Sequence, residues 1–140
     1  SGACLLHIAQ KSDKLMPRDP IGHAQTLQWV IAALNSIEMV SVPWWFLTIS
    51  SNAANGLEDW MSNRLDQLED VLSERDWLAE NRFTVADLLM ADVLRVPKVR
   101  AFCNRPASEA YVMRLTNRPA FRKAYGDQMA HFELADKKRC

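Results

Sequence analysis

The stretch Phe83-Thr84-Val85-Ala86-Asp87-Leu88-Leu89 decides the fold, because it contains a complete start signal for a buried helix. Thr84 is a favourable N-cap, and Asp87 stands three residues later, where its carboxylate can accept a hydrogen bond from the N-cap N–H. Phe83 and Leu88 occupy the two positions of a hydrophobic staple. This spacing explains an acid in a buried place without catalysis, so we interpret Asp87 as a structural residue.

Helical spacing extends in both directions from this signal. Apolar residues recur three and four positions apart, glycine is scarce, and no run alternates as a strand would. The residues after the signal, 88–96, are apolar almost all round, which predicts a central helix. We therefore predict an all-α fold, a helical bundle of about six helices: about 3–11, from Pro20, from Leu57, from Thr84, 107–116 and from Pro119.

The second helix is predicted to be long and apolar on more than one side. Asp19 and Pro20 form a strong start signal, since the carboxylate can cap the first turn and proline loses no needed donor there. Pro43 should break or kink the helix just before Trp44 and Trp45. Two adjacent tryptophans cannot both face one core, so one of them should line a pocket or an interface.

Several side chains are predicted to lie in the core from their helical positions. Three tryptophans belong to this set, as do the inward positions of the last two helices. The set comprises Trp29, Trp60, Trp77, Ala110, Tyr111, Leu115, Phe121, Ala124 and Tyr125.

Composition excludes several classes of protein. The 140 residues carry 17 basic and 17 acidic side chains, so no basic excess exists to neutralise a nucleic acid. No apolar run appears long enough to span a membrane. The three cysteines are widely spaced and odd in number, which predicts reduced thiols and a cytoplasmic location.

The sequence shows no catalytic or metal-binding constellation. Of the three histidines, only His7 has a nearby thiol, Cys4, and two ligands do not make a zinc site. Arginines near Cys103 (Arg100 and Arg105) could lower the pKa of its thiol, but no histidine is near, which favours an inert thiol. We therefore predict no metal and no catalytic residue in this chain.

Four segments resemble cytosolic glutathione transferases, in the same order along the chain. Arg82 to Leu88 resembles the start of the central buried helix in the C-terminal domain of that family. Ser1 to Ala9 resembles the last helix of its thioredoxin-like N-terminal domain, residues 15–20 its interdomain linker, and Arg118-Pro119-Ala120-Phe121 the start of a late helix. Among these transferases, the sequence most resembles the bacterial members.

The resemblance implies an enzyme cut short. Residues 1–16 would be the last helix of a truncated thioredoxin-like domain, and 17–140 the all-helical C-terminal domain. Ser1 matches the residue that binds the γ-glutamyl carboxylate of glutathione at a helix N-terminus. The family often has glycine in the turn before Phe83, where this chain has residues 79–82, so Asn81 should adopt the left-handed conformation. Residues 99–106 form a connection that looks shortened.

Two functions follow from the resemblance. In the first, the parent protein conjugates the thiol of glutathione to a small electrophile, and this part supplies the hydrophobic second-substrate pocket and the contacts of a homodimer. The thiol-activating residue would lie outside the chain, so the fragment alone should be inactive. In the second, the chain is a non-catalytic interaction module that binds protein partners.

Overall fold

The computed structural model describes residues 2–50, 55–102 and 105–137. Every regular element in these ranges is helical, and one isolated bridge joins Ala79 and Arg82. The helices are α1 (Gly2–Ala9), α2 (Pro20–Ala32), a π-helical segment (Ala33–Glu38), α3 (Met39–Ser50), α4 (Asn55–Glu74), α5 (Val85–Leu94), α6 (Pro97–Phe102), α7 (Pro106–Thr116) and α8 (Pro119–Lys137). The all-α prediction is confirmed. Helix α6 is additional, because it occupies part of the connection that we expected to be a shortened loop.

Helix α5 lies at the centre of the bundle. It packs against α1, α2, the π-helical segment, α6 and α7. Eight of its ten residues are buried, as expected for a helix that is apolar nearly all round. The main neighbours of α5 are therefore elements from both ends of the chain.

The long second helix begins where predicted. Asp19 accepts a 2.7 Å hydrogen bond from the N–H of Gly22, and Pro20 is in the first turn. That hydrogen bond is the main reason why the pKa of Asp19 lies below its ordinary value. The α2, π and α3 segments follow one another without a gap, and their buried face carries Gly22, Thr26, Val30, Ala33, Ile37, Val40 and Trp44.

Pro43 does not end this helix, so the first alternative, a break, is wrong, and the second, a kink, stays a prediction. Helix α3 continues through Pro43 to Ser50. Proline in a helix interior removes one backbone hydrogen bond and costs about 3 kcal/mol, but buried neighbours on the same helix can hold the helical conformation. Val40 and Trp44 are both buried, and α3 packs against α4. Tertiary packing therefore overrides the local signal.

The continuity of this helix also changes the expectation about membranes. Residues Pro20–Leu47 form one helix that is long and apolar enough to cross a bilayer by length and composition. Core helices of water-soluble proteins pass the same test, and a third of the relevant window is buried inside the bundle. The expectation that no segment is long enough is thus wrong by length and composition, and packing against α4 and α5 covers only part of the apolar surface of this helix.

Helix α4 is amphipathic: one face packs into the core, and a glutamate on it caps another helix. Four of its apolar residues are buried against the core: Met61, Leu65, Leu68 and Leu72. On the same helix, Glu69 accepts hydrogen bonds of 2.7 and 2.8 Å from the N–H groups of Ala107 and Ser108. Glu69 therefore caps the N-terminus of α7, to which Arg105 contributes no side-chain cap.

Several expected core positions are not buried. Trp60 is 41% exposed because it lies on the outer side of α4, and Ala110 is exposed on α7. None of the nineteen residues of α8 is buried, so the predicted inward face of Phe121, Ala124 and Tyr125 is wrong. Among the described elements α8 packs mainly against α7, which leaves its apolar side chains without a covering layer.

The turn before α5 holds two non-glycine residues in the left-handed region. Glu80 has φ of 49° and Asn81 has φ of 51°. The N–H of Arg82 closes the turn on the carbonyl of Ala79 at 3.2 Å. The expectation for Asn81 is confirmed, and Glu80 shares the same conformation.

Candidate functional site

The two adjacent tryptophans of α3 lie on different sides of the helix. Trp44 is 7% exposed, and its indole N–H donates to Glu58 of α4 at 3.2 Å, whereas Trp45 is 42% exposed. Both residues nevertheless line one open pocket between α3 and the end of α5. The prediction that one tryptophan would line a pocket is therefore met by both.

This space, which we call the tryptophan pocket, is an open cleft of about 490 Å³, a volume that includes the solvent at its mouth. Its walls are mostly apolar, a feature typical of small-molecule sites. The lining residues are Glu38, Ser41, Val42, Trp44, Trp45, Asp92, Val93, Val96 and Val99. The pocket thus lies between the end of the π-helical segment, α3, α5 and α6.

The charges at the tryptophan pocket are all negative. Glu38 and Asp92 are the ionisable residues among the described ones that line it. Asp92 pairs with Arg95 at 2.7 Å, and the guanidinium of Arg95 lies 5.6 and 5.4 Å from the ring centroids of Phe121 and Tyr125. Arg95 therefore connects the edge of the pocket to α8.

A second concave surface, the α1–α5–α8 groove, adjoins the pocket at Asp92. It is larger, about 1080 Å³, and more apolar. Phe83 and Leu88 both line it, as expected for the residues of a staple, and the guanidinium of Arg118 lies 3.7 Å from the Phe83 ring centroid. The other lining residues are Leu5, Leu15, Ala91, Asp92, Leu115, Ala120, Phe121 and Ala124.

Asp87 lies apart from both surfaces and is fully buried. Thr84 and Asp87 form the predicted capping box, in which the Thr84 N–H donates to Asp87 at 2.8 Å. The carboxylate also accepts from the Thr84 hydroxyl at 3.2 Å, the Leu78 N–H at 3.0 Å and the Tyr111 hydroxyl at 2.9 Å. Burial is the largest influence on this group and raises the pKa of Asp87 above its ordinary value.

This network has a structural role. Four donors hold Asp87, and neither concave surface includes it in its lining. Burial also raises the pKa of Tyr111, and the neighbouring Asp87 carboxylate raises it further. Both groups therefore lack the access to solvent or ligand that an acid catalyst requires.

Among the described residues, the remaining candidates are not brought together as a reactive site. Ser1, Cys103 and Cys140 lie outside the described residues, and Cys4 is exposed. The two arginines near Cys103 have other partners: Arg100 donates to Glu109 at 3.4 Å, and Arg105 pairs with Asp66 at 2.7 Å. Within the described part of the chain, no three His, Cys, Asp or Glu side chains are grouped as metal ligands.

A profile described as "Glutathione S-transferase, C-terminal domain" matches residues 45–119, more than half of the chain. The chain belongs to this family. The glutathione transferase domain thus defined includes Trp45, α4, the capping box and α7. No match is found among curated protein sequences.

Solved glutathione transferases share the fold of this domain. Ure2p5 from Phanerochaete chrysosporium, cocrystallised with 1-(S-glutathionyl)-2,4-dinitrobenzene, superposes with a TM-score of 0.80 at 20% identity, over 94% of this chain and 69% of that one. A Pseudomonas putida enzyme with bound glutathione disulfide gives 0.78 at 23%, over 87% and 59%. A sphingomonad enzyme complexed with glutathione gives 0.74 at 26%, over 88% and 64%. The chain therefore spans between 59% and 69% of the length of these structures.

The carboxylates of the tryptophan pocket were not identified from the sequence. Asp92 interrupts the apolar stretch 88–96, and Glu38 interrupts the apolar helix that begins at Pro20. The two residues are 54 positions apart, so no local spacing connects them. The signal that could have found them is the one acidic residue of the apolar helix from Pro20 and, in α5, the one carboxylate that the capping box does not use.

Proposed function

We propose that this chain is the helical part of a glutathione transferase and that the tryptophan pocket receives the second substrate, a small electrophile. The observation that carries the proposal is the position of Trp44 and Trp45 on α3, where both line an apolar pocket. Ure2p5 binds a conjugate of glutathione with a dinitrophenyl group, and a group of that kind suits aromatic and apolar walls.

The proposal divides the chain as the resemblance implied. Residues 1–16, including α1, would be the last helix of a thioredoxin-like domain, and 17–140 the helical domain. In support, the α1–α5–α8 groove is apolar, and the chain covers only 59% to 69% of the three similar structures. The rest of a thioredoxin-like domain would cover this groove, and Ser1 would bind the γ-glutamyl carboxylate of glutathione.

We also propose a homodimer in the cytoplasm. Isoleucines on α1 and α2 are exposed: Ile8 is 57%, Ile21 is 71% and Ile31 is 53% exposed. Apolar side chains exposed on two neighbouring helices are typical of an interface between copies. The reduced state of the exposed Cys4 would agree with a cytoplasmic location.

The pocket is tested by binding a dinitrophenyl ligand to the purified chain. The probe is 1-(S-glutathionyl)-2,4-dinitrobenzene, and equilibrium dialysis measures its dissociation constant from the absorbance of the dinitrophenyl group. Val96→Trp is the pocket variant, because Val96 lines the pocket and is 45% exposed, so a larger side chain fills the pocket without entering the core. Met113→Trp is the matched control on α7, where Met113 is 51% exposed.

We expect Val96→Trp to weaken binding of the probe about tenfold and Met113→Trp to leave it unchanged. Equal binding by both variants would show that the ligand lies elsewhere and would overturn the assignment of the pocket. The chain alone should give no glutathione conjugation above the uncatalysed rate, because the thiol-activating residue would belong to the domain that it lacks.

A further inference from the structure

We infer that the tryptophan pocket discriminates against anionic electrophiles and that Glu38 is the residue responsible. The inference rests on the proposed function, because it names the class of second substrate: neutral or cationic aromatic compounds. The observation that supports it is the set of charges around the pocket, and this observation does not depend on the similarity to other proteins.

The lining of the pocket provides negative charge without positive charge. Glu38 and Asp92 line it, whereas no Lys, Arg or His is among the described lining residues. Among the described lining residues, none therefore offers a positive charge to an anionic ligand.

The two carboxylates differ in how far their charge is neutralised. Asp92 is paired with Arg95 at 2.7 Å, and Arg95 is held over Phe121 and Tyr125, two rings that do not line the pocket. Glu38 has no ion pair within the described ranges. Ser41 also donates to the backbone carbonyl of Glu38 at 3.2 Å and not to its carboxylate. The uncompensated charge at the pocket therefore belongs to Glu38.

The surroundings make this charge effective. Glu38 is half-buried, and the neighbouring walls are indole rings and valine side chains, which exclude water and reduce screening. The faces of Trp44 and Trp45 add a further preference, since aromatic faces attract cations and repel anions. Both effects favour neutral or cationic ligands over anionic ones.

The experiment compares three ligands of similar size on the purified chain. Para-nitroanisole is neutral, para-nitrobenzoate is anionic, and para-nitrobenzyl trimethylammonium is cationic. Equilibrium dialysis gives the dissociation constant of each for wild type, Glu38→Gln, Glu38→Lys and the control Glu133→Gln. Glu133 is exposed on α8 and does not line the pocket, so the control changes the net charge equally. Circular dichroism verifies that each variant is folded.

In wild type we expect the anion to bind about tenfold more weakly than the neutral ligand, which corresponds to about 1.4 kcal/mol. Glu38→Gln should remove most of this difference, Glu38→Lys should reverse it, and Glu133→Gln should preserve it. If the three ligands bind equally to wild type while Val96→Trp still weakens all of them, the charge discrimination is overturned and the pocket stands. If Val96→Trp has no effect on the neutral ligand, the pocket itself, and with it the proposed function, is overturned.

Discussion

The hydroxyl of Tyr111 donates a 2.9 Å hydrogen bond to the carboxylate of Asp87, and both side chains are completely buried. This contact joins the middle of α7 to the first turn of α5. A capping box, which is a local device, thereby becomes a connection between two helices. Two predictions follow from the arrangement.

Thr84 and Asp87 should behave as one unit in unfolding. Thr84→Ala should cost about 1 kcal/mol, and Asp87→Ala about 3 kcal/mol, since the second change leaves buried donors unsatisfied. The double variant should cost less than the sum of the two, because both changes disrupt one motif. Urea unfolding of the four proteins measures the coupling, and strictly additive losses would contradict it.

Tyr111→Phe should destabilise the fold by about 1 to 3 kcal/mol, because a buried carboxylate loses one donor. Tyr125→Phe is the matched control, since Tyr125 is 42% exposed and removal of its hydroxyl should have little effect. The free energies of unfolding are compared under the same conditions. Equal effects of the two substitutions would show that the Tyr111 hydroxyl contributes nothing.

Glu69 should make the stability of the domain depend on pH. Partial burial is the largest influence and raises the pKa of Glu69, but hydrogen bonds from Ala107 and Ser108 and the charge of Arg105 outweigh it. The pKa in the folded state is therefore lower than in the unfolded state. The stabilisation by Glu69 is present above its ordinary pKa of 4.5 and is lost as the pH falls through the lowered value.

The test is Glu69→Gln, followed by unfolding at several values of pH. The variant should lose about 1 kcal/mol at neutral pH, a typical cost for a lost N-cap, and the difference from wild type should vanish in acid. Glu74→Gln, at the exposed end of the same helix, is the control. A difference for Glu69→Gln that stays constant down to acidic pH would mean that ionisation of this carboxyl does not matter.

Asn81→Gly should stabilise the protein by up to about 1 kcal/mol, because glycine adopts a positive φ without steric cost. The same change at Asn63, inside α4, should destabilise by about 1 kcal/mol. Thermal unfolding of the two variants gives opposite shifts if the turn is as described. A lower melting temperature for Asn81→Gly would contradict the left-handed conformation.

The chain should self-associate through α1 and α2. Ile8→Lys and Ile21→Lys place charge on the exposed apolar side chains of these helices and should shift the protein to monomer. Met113→Lys, on α7, should not change the association. Sedimentation velocity over a range of concentrations measures the assembly, and a wild-type protein that is monomeric throughout would exclude this interface.

Local signals in the sequence were sufficient for the helix starts. The capping box needs only Thr84 and Asp87, and the start of α2 needs only Asp19 and Pro20, so short spacings contain the whole interaction. The all-α class followed in the same way, from apolar residues three and four positions apart.

Interactions between distant residues were not predictable in this manner. Glu69 caps a helix that begins 37 residues later, and Tyr111 reaches Asp87 across 24 positions. The local signal of Pro43 predicted a helix end that is absent, because α3 continues through this residue and packs against α4. The expected burial of Tyr125 failed because α8 packs mainly against α7 among the described elements, and Tyr125 stays 42% exposed. Periodicity predicts which face is apolar and not what lies against it.

The exposure of α8 has a consequence for local unfolding of the protein. With no buried side chain among Pro119–Lys137, its helical amides should exchange with deuterium through local unfolding, at rates far above those of α5. Helix α8 would then unfold separately, before the cooperative unfolding of the other helices. A ligand or domain that settled against α8 would slow this exchange, so amide protection of this one helix reports whether its apolar face is occupied.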